Sequence, residues 1–429
     1  MRANVGVTVQ KRRDDARWRA VWASWRPDLA VAWRALWTSR LLVWAAGLGA
    51  VAIWGLHATH EHAFDPGGVT RPFGAVGDLL VGPAARWDTV WYLDIAHDGY
   101  GGAASGDRAA FFPLYPMLVR VGGWVVGEPL VAALLVSFAC FLLGLAALHR
   151  LAVIEVGPEA ARWTVVSLAL FPGSLWFSAA YSESLFLAAS VGAVLCARRE
   201  RWAWAGVLGA LGAATRSAGL LLVIPLALLW WDAWRRRSPR APWWSAGFVA
   251  IVPLGLAAFC GYLAAEGQKA TAPFRAQDTW HRALAGPWQG VADGATAAWD
   301  GLRQIVHGPP PPLYFDQAGG DAMAVARHNL ALFLCLLIAV PAVIGAFRRL
   351  PLAHAAYALC ALLLPLSYPV VAQPLMSLPR FEAVLYPLFL WLGWWLAHGP
   401  AWRRAAVLGV FAVGLAACSA LFTTWHWVA

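Results

Sequence analysis

The sequence predicts an all-α membrane protein with many membrane-spanning helices. Of its 429 residues, 60% are hydrophobic and only 13% are charged, which is about half the charged fraction of a soluble domain. Apolar runs of roughly 18 residues or more recur along the chain, and a helix of that length can cross a bilayer. These runs lack the two-residue alternation of an outer-membrane barrel.

The net charge of +10 does not indicate a nucleic-acid partner. The basic residues lie in short clusters between apolar runs, as is typical of cytoplasmic loops. The six cysteines lie inside apolar runs without the spacing of a metal site, so they are expected to be small core residues. We therefore expect membrane lipids as neighbours, no nucleic acid and no cofactor, although a divalent metal is not excluded. The cysteines are Cys140, Cys196, Cys260, Cys335, Cys360 and Cys418.

The N-terminal segment, residues 1–39, is basic and rich in tryptophan. Trp18, Trp22 and Trp25 recur at helical spacing, which favours a helix lying on the inner leaflet; a disordered basic tail is the alternative. Residues 40–429 are expected to form a single membrane domain, with a first span near 40–57. Because the basic segment precedes that span, the span is expected to act as a signal anchor.

Two long polar segments interrupt the apolar pattern. Residues 58–128 form a predicted first outer loop with juxtamembrane helices, and residues 265–328 form a second, in which Pro309 to Pro312 predict a stiff turn. The remaining spans are predicted near 129–148, 163–179, 183–197, 202–214, 218–234, 243–264, 329–347, 352–371, 381–397 and 405–424.

The loop charges predict the orientation of the chain. If the N-terminus is cytoplasmic and residues 111–127 do not cross, the cytoplasmic segments hold 22 of the 33 Lys and Arg residues, as the positive-inside rule requires. If residues 111–127 crossed, every later basic cluster would face outward. Arg120 in the middle of that stretch would cost about 3 kcal/mol or more at mid-bilayer. The sequence therefore predicts about eleven spans in a multi-pass protein of the cell membrane, with 111–127 juxtamembrane or re-entrant.

This orientation gathers the unusual polar residues on the extracytoplasmic face. The densest group is the stretch from Ala85 to Tyr100. The turns Tyr181-Ser182-Glu183, Thr215-Arg216-Ser217 and Ser377-Leu378-Pro379-Arg380 emerge on the same face, as does the second outer loop.

Asp88 is the strongest catalytic candidate in the first stretch. It follows Trp87 and precedes residues 89–98, which contain no helix breaker, so a short helix is predicted there. Asp88 and Tyr92 would share one face of this helix. Asp88 could simply cap the helix through its carboxylate, or act as a general base on an acceptor hydroxyl; the two roles are compatible.

The other ionisable groups of this stretch are weaker candidates. Asp94, His97 and Asp98 could hold a metal ion, but no distant fourth ligand is visible, and the solvated face of an amphipathic helix accounts for them more simply.

Glu183, Arg216 and Arg380 lie at the ends of predicted spans. A carboxylate such as that of Glu183 is costly at the membrane and is usually paired or functional. Either arginine could bind a phosphate group through two N–H groups, snorkel to lipid headgroups, or pair with Glu183.

Several of these segments together resemble a known family. Ala85 to Tyr100 followed by Phe111-Phe112-Pro113, then Pro172 to Phe186, then Thr215 to Gly219 are similar, in this order, to the PIG-V mannosyltransferases of the GT-C membrane glycosyltransferases. Pro379-Arg380-Phe381 adds a weaker match near the C-terminus.

The resemblance implies a mannose donor linked to a lipid phosphate and an inverting reaction on the outer or lumenal face. Asp88 falls on the family's Trp-Asp pair, Glu183 on its Tyr-Ser-Glu and Arg216 on its Arg-Ser-Asn-Gly. Ala218 stands where the family usually has Asn, which puts in doubt any contact made by that amide. The neighbouring aromatic residues Trp87, Tyr92 and Tyr181 are assigned to substrate binding.

The combined reading is a polyprenyl-phosphate-sugar-dependent glycosyltransferase. Asp88 would be the base, Arg216 with Arg380 would bind the donor phosphate, and Glu183 would orient an arginine or a sugar hydroxyl. A lipid or glycoconjugate acceptor would lie under the second outer loop. The alternative is a polyprenyl-linked-sugar flippase without transfer chemistry, but transporters place ionisable groups near the midplane and often show inverted repeats. No repeat is visible here.

Overall fold

The computed structural model describes residues 3–101, 105–279, 281–308 and 321–428, in which every regular element is a helix. The α-helices are α1 Ala3–Trp54, α2 Ala58–Phe64, α3 Gly74–Val81, α4 Thr89–Asp98, α5 Ser105–Arg108, α6 Leu114–Val126, α7 Pro129–Val156, α8 Pro158–Leu170, α9 Glu183–Arg198, α10 Trp202–Ala213, α11 Val223–Arg235, α12 Leu254–Ala265, α13 Ala272–Thr279, α14 Pro287–His307, α15 Ala322–Arg349, α16 Leu352–Leu366, α17 Leu378–Ala383, α18 Tyr386–Ala397 and α19 Ala401–Thr423. Short 3₁₀ helices cover Gly82–Ala84, Pro172–Phe177, Ser217–Leu222 and Trp243–Ile251.

The N-terminal segment and the first span form one continuous helix, α1, rather than two separate elements. Its apolar, span-length part runs from Ala23 to Trp54, and the predicted start of the first span near residue 40 stays a prediction. The helix is continuous because the polar residues of α1 are satisfied inside the bundle. Asp28 bonds to α7, and Arg40 donates to the backbone and hydroxyl groups of the Pro172–Phe177 helix. The side chains of Trp18 and Trp22 lie outside the described part of the chain.

The prediction of an all-α polytopic membrane protein is confirmed. Among the described residues, five helices are long and apolar enough to cross a membrane, or six if the bent pair Trp243–Ile251 and Leu254–Ala265 counts as one span. The other predicted spans are shorter or broken helices, for example α8, after which the chain continues into a 3₁₀ helix. The predicted number of eleven spans stays a prediction.

The stretch 111–127, which the loop charges predict not to cross, contains α6. This helix has 13 residues and is therefore about 20 Å long, against roughly 30 Å for the hydrocarbon core. Arg120 is exposed and lies over the ring of Trp124 at 5.8 Å. Both features fit a juxtamembrane helix.

The core of the bundle surrounds α7 and α9. Helix α7 packs against α1, α6, α8 and α9, while α18 packs against α8 and α19 against α1. Gly173, in the Pro172–Phe177 helix, is required by packing, because a Cβ at that position would collide with the carbonyl oxygen of Pro379. This close approach seats α17, which carries Arg380, against the middle of the bundle.

The second polar segment contributes two helices. Helix α13 lies near α5 and α12. The 21-residue α14 packs lengthwise on α15, where Gly301 lies close to the backbone of Ala326, and its Gly290 lies close to the backbone of Leu366 at the end of α16. The predicted turn at Pro309 to Pro312 lies outside the described residues.

Candidate functional site: a chain of alternating charges

Four of the predicted site residues are in direct contact. The Glu183 carboxylate, fully buried at the start of α9, accepts hydrogen bonds at Oε1 from Arg216 Nη1 and from Arg380 Nε. Arg380 also donates from Nη1 to Asp88 Oδ2 at 2.5 Å. Asp88, Arg380, Glu183 and Arg216 therefore form a chain of alternating negative and positive charge, called here the Asp88 network.

The network joins segments that are distant in sequence. Asp88 precedes α4, Glu183 begins α9, Arg216 lies between α10 and the Ser217–Leu222 helix, and Arg380 belongs to α17. Pairing with Glu183, one of the three alternatives that the sequence leaves open for the arginines, is present for both. This pairing leaves N–H donors available on both arginines, because each guanidinium carries five N–H groups and the side chains of both remain 12% exposed.

Asp88 does not cap its helix. It occupies the N-cap position of α4, but its side chain makes no capping hydrogen bond, because its carboxylate turns to Arg380 instead. Only Oδ2 is used: within the described part of the chain, no residue donates a hydrogen bond to Oδ1. With the side chain 14% exposed, this oxygen can receive a proton.

The backbone is strained beside both ends of the Asp88–Arg380 pair. Trp87 has φ of 55° and Ser377, the residue before α17, has φ of 68°. Non-glycine residues rarely adopt this left-handed region, at a cost of roughly 1–3 kcal/mol each, and such residues cluster at functional sites. The surrounding packing therefore enforces the position of Asp88.

Trp87 is held by an aromatic cluster. Its ring packs against Phe64 at 4.6 Å, Trp427 at 5.0 Å and Trp425 at 5.6 Å, and it is only 6% exposed. The C-terminal residues thus close over the first loop. Trp87 supports the turn that presents Asp88, and its predicted contact with substrate stays a prediction.

Two buried tyrosines connect the network to the backbone. The Tyr181 hydroxyl accepts the Asp88 N–H at 3.1 Å and donates to the Arg86 carbonyl at 3.2 Å. The Tyr181 ring lies 4.7 Å from the Arg380 guanidinium, a favourable cation–π contact. Tyr92 donates to Ser182 Oγ at 2.9 Å. Burial, with a smaller contribution from the Glu183 charge, raises the pKa of Tyr92 to about 12, so its hydroxyl stays protonated. Both tyrosines position the network, and their assignment to substrate binding stays a prediction.

The weaker candidates of α4 lie apart from the network. Asp98 pairs with His97 at 2.6 Å and with Arg108 at 3.2 Å. These hydrogen bonds, that from His97 first, lower the pKa of Asp98, whereas partial burial raises the pKa of Asp94. The described residues contain no group of three His, Cys, Asp or Glu side chains that could hold a metal ion.

Sequence reasoning missed Arg282. It lies in the second polar segment, outside any motif, and its guanidinium contacts the Phe381 ring at 5.7 Å, beside Arg380. Arg216 contacts the same ring at 5.5 Å. No local signal distinguishes Arg282 from the other arginines of that segment, because only the fold brings it to the network.

The fold and the site together define an all-α membrane protein with a charged, partly accessible centre built from four helix ends. Residues 60–228 match the family model described as Mannosyltransferase (PIG-V). This match covers the segments whose motifs resemble the PIG-V mannosyltransferases, in agreement with the resemblance.

Individual relatives agree. The chain is 32% identical over 180 residues to GPI alpha-1,6-mannosyltransferase 2 of Rattus norvegicus, covering 38% of this chain and 35% of the relative. It is 31% identical over 179 residues to the Homo sapiens protein of the same description, again covering 38% and 35%. The chain thus matches about a third of the length of these relatives. The family match contains Asp88, Glu183 and Arg216. It contains neither Arg380, which the sequence predicts as a site residue, nor Arg282, which only the structure adds to the site.

Proposed function

We propose that this protein transfers a mannosyl or similar hexosyl group from a polyprenyl-phosphate donor to a hydroxyl group of a lipid or glycoconjugate acceptor. The reaction takes place at the extracytoplasmic face of the cell membrane, with inversion at the anomeric carbon. The observation that carries the proposal is the Asp88 carboxylate, with one oxygen fixed by Arg380 and the other free to take a proton.

In this reaction the acceptor oxygen attacks the anomeric carbon of the donor. The bond between that carbon and the phosphate oxygen breaks, the polyprenyl phosphate leaves with the bonding electrons, and the acceptor proton passes to Asp88. A single inverting displacement needs one base, so Asp88 suffices. Fixing Oδ2 keeps the free oxygen oriented towards the attacking hydroxyl, which is the geometric requirement for general base catalysis.

Glu183 and the two arginines organise the charges around this step. Glu183 has no accessible surface and bridges Arg216 and Arg380, so it positions both guanidinium groups and does not exchange protons with solvent. The guanidinium groups supply positive charge where negative charge develops on the leaving phosphate. Preorganised charge of this kind is usually the largest single contribution to catalysis. The domain of residues 40–429 provides the scaffold, and the second outer loop covers the acceptor.

The test uses purified protein, polyprenyl-phosphate mannose and a panel of lipid and glycoconjugate hydroxyl acceptors. We expect mannose transfer, and a loss of about 10²- to 10⁴-fold in Asp88→Asn, the range that general base catalysis contributes. Asp94→Asn, on the same helix but outside the network, is the matched control and should retain the rate. Full transfer by Asp88→Asn would refute the base assignment. Movement of the donor across liposome membranes without any mannose transfer would refute the transferase and support a flippase.

A further inference from the structure

Arg282 is a cation without a carboxylate partner in the described part of the chain. Its Nη2 donates to the carbonyl oxygen of Met376 at 3.2 Å, and its guanidinium lies against the Phe381 ring. By contrast, Arg380 contacts two carboxylates and Arg216 contacts one. Three guanidinium groups therefore share two carboxylates around Phe381, which leaves an excess of one positive charge.

Arg282 belongs electrostatically to the site. It is half-buried, and burial, together with repulsion from Arg380, lowers its pKa to about 10, while attraction to Asp88 opposes that decrease. The side chain is still protonated at neutral pH. A charged group taken out of water without a counter-ion is costly, and a ligand anion at this position would offset that cost.

The backbone fixes Arg282 to the segment that carries Arg380. Arg282 forms an isolated antiparallel bridge with Val370, and its contact with Met376 lies just before the strained Ser377 and α17. The guanidinium is thus held beside the network by two attachments to the chain between α16 and α17. Rigid placement lowers the cost of ordering an arginine when it binds a ligand.

We propose that Arg282 binds the phosphate of the lipid-linked donor directly, beside the positive charge that Arg216 and Arg380 supply. This assignment rests on the proposed function and makes it more specific: Arg216 and Arg380 hold Glu183 and Asp88, and Arg282 supplies the unmatched charge. A phosphodiester carries one negative charge, which equals the excess. When the sugar leaves, the phosphate gains further negative charge beside the same guanidinium.

The test compares two probes in detergent micelles by isothermal titration calorimetry: farnesyl phosphate and the neutral alcohol farnesol. We expect Arg282→Ala to weaken farnesyl phosphate binding about 10- to 100-fold, the range for a lost charge-assisted hydrogen bond, and to leave farnesol binding unchanged. Arg282→Lys should restore part of the phosphate affinity. Arg275→Ala, an exposed arginine of α13 in the same polar segment, is the matched control and should bind as the wild type does.

Two results would overturn the assignment. Unchanged farnesyl phosphate binding by Arg282→Ala would show that another group binds the phosphate. An equal loss of affinity for both probes would show that Arg282 only holds the backbone at Met376.

Transfer kinetics separate this proposal from the previous one. Transfer by Arg282→Ala with an unchanged KM for the donor refutes the phosphate site alone. Arg282-dependent phosphate binding without transfer to any acceptor refutes the transferase alone.

Discussion

Two aspartates, the buried Asp28 and the half-buried Asp88, are bound by basic residues in different ways. Asp28, in α1, has both carboxylate oxygens occupied: Oδ1 contacts His149 Nδ1 at 2.7 Å, and Oδ2 contacts Arg150 Nε at 2.7 Å. Arg150 in turn lies 3.8 Å over the ring of Trp25. Asp88 has one oxygen occupied and one free, and its arginine is shared with Glu183.

The backbones of the two sites differ as well. Asp28, His149 and Arg150 all lie within regular helices, whereas Trp87 and Ser377, beside the Asp88–Arg380 pair, adopt left-handed backbone conformations. A carboxylate satisfied on both oxygens by residues of two packed helices fixes those helices. A carboxylate left half-satisfied by a strained turn is available to a ligand. The residue types at the two sites are similar, so they do not distinguish the two cases. The difference lies in the number of carboxylate oxygens that accept no hydrogen bond.

The largest expected effect comes from Glu183→Gln. Removing one partner of a buried ion pair costs about 3–5 kcal/mol, and here it releases both arginines at once. We expect a large fall in thermal stability in detergent and a fall in transfer rate of at least about 10²-fold, the lower limit for losing a positioned catalytic base.

Glu155→Gln is the matched control. Glu155 is also a buried carboxylate, paired with Arg198 at 2.5 Å and His354 at 3.2 Å. The variant should lose stability and keep the transfer rate of each folded molecule. Equal rates in the two variants would contradict the role of Glu183.

Asp28→Asn should separate stability from activity at the other aspartate. It leaves Arg150 and His149 facing a neutral amide, with a loss of about 3 kcal/mol in the free energy of unfolding. Thermal melting in detergent measures this loss, and mannose transfer normalised to folded protein should equal that of the wild type. Reduced transfer per folded molecule would mean that the Asp28 cluster also shapes the site.

Ser377→Gly tests the strained turn. Glycine adopts positive φ without steric cost, so we expect a gain of about 1 kcal/mol in stability and a lower transfer rate if the strain helps to hold Arg380 against Asp88. Ser419→Gly, in the regular helix α19, should instead lose about 1 kcal/mol. Melting temperatures that fall in both variants would show that no strain is stored at Ser377.

The smallest expected effect concerns two carboxylates one turn apart on α4. Partial burial raises the pKa of Asp94, so the folded state binds its proton more tightly than the unfolded state does. Its stabilising contribution is present at low pH and is lost as pH rises through the raised pKa. Asp94→Asn should therefore raise the melting temperature slightly at pH 7.

Asp98 has the opposite sign, because hydrogen bonds from His97 and Arg108 lower its pKa. Its contribution is present above the ordinary pKa of an aspartate and is lost as pH falls. Asp98→Asn should lower the melting temperature slightly at pH 7, and the difference from wild type should vanish in acid. Melting curves from pH 3 to pH 7 check both signs.

The sequence by itself determined the class of the protein. Long apolar runs require helices in a bilayer, since no other open structure satisfies its backbone there, and ordered motifs around Asp88, Glu183 and Arg216 were sufficient to indicate the family. The short helix after Asp88 also follows from a local pattern, because helix formation depends on residues close in sequence.

The tertiary structure decided how the charges are used. Asp88 binds Arg380 and does not cap α4, Glu183 bridges two arginines, and Arg282 lies beside them. These contacts join residues up to 292 positions apart. Charged side chains of one type look alike in a sequence, and their partners are set by packing, such as the close approach of Gly173 to Pro379. The continuity of α1 was hidden for the same reason, since the partners that satisfy Asp28 and Arg40 lie on other helices.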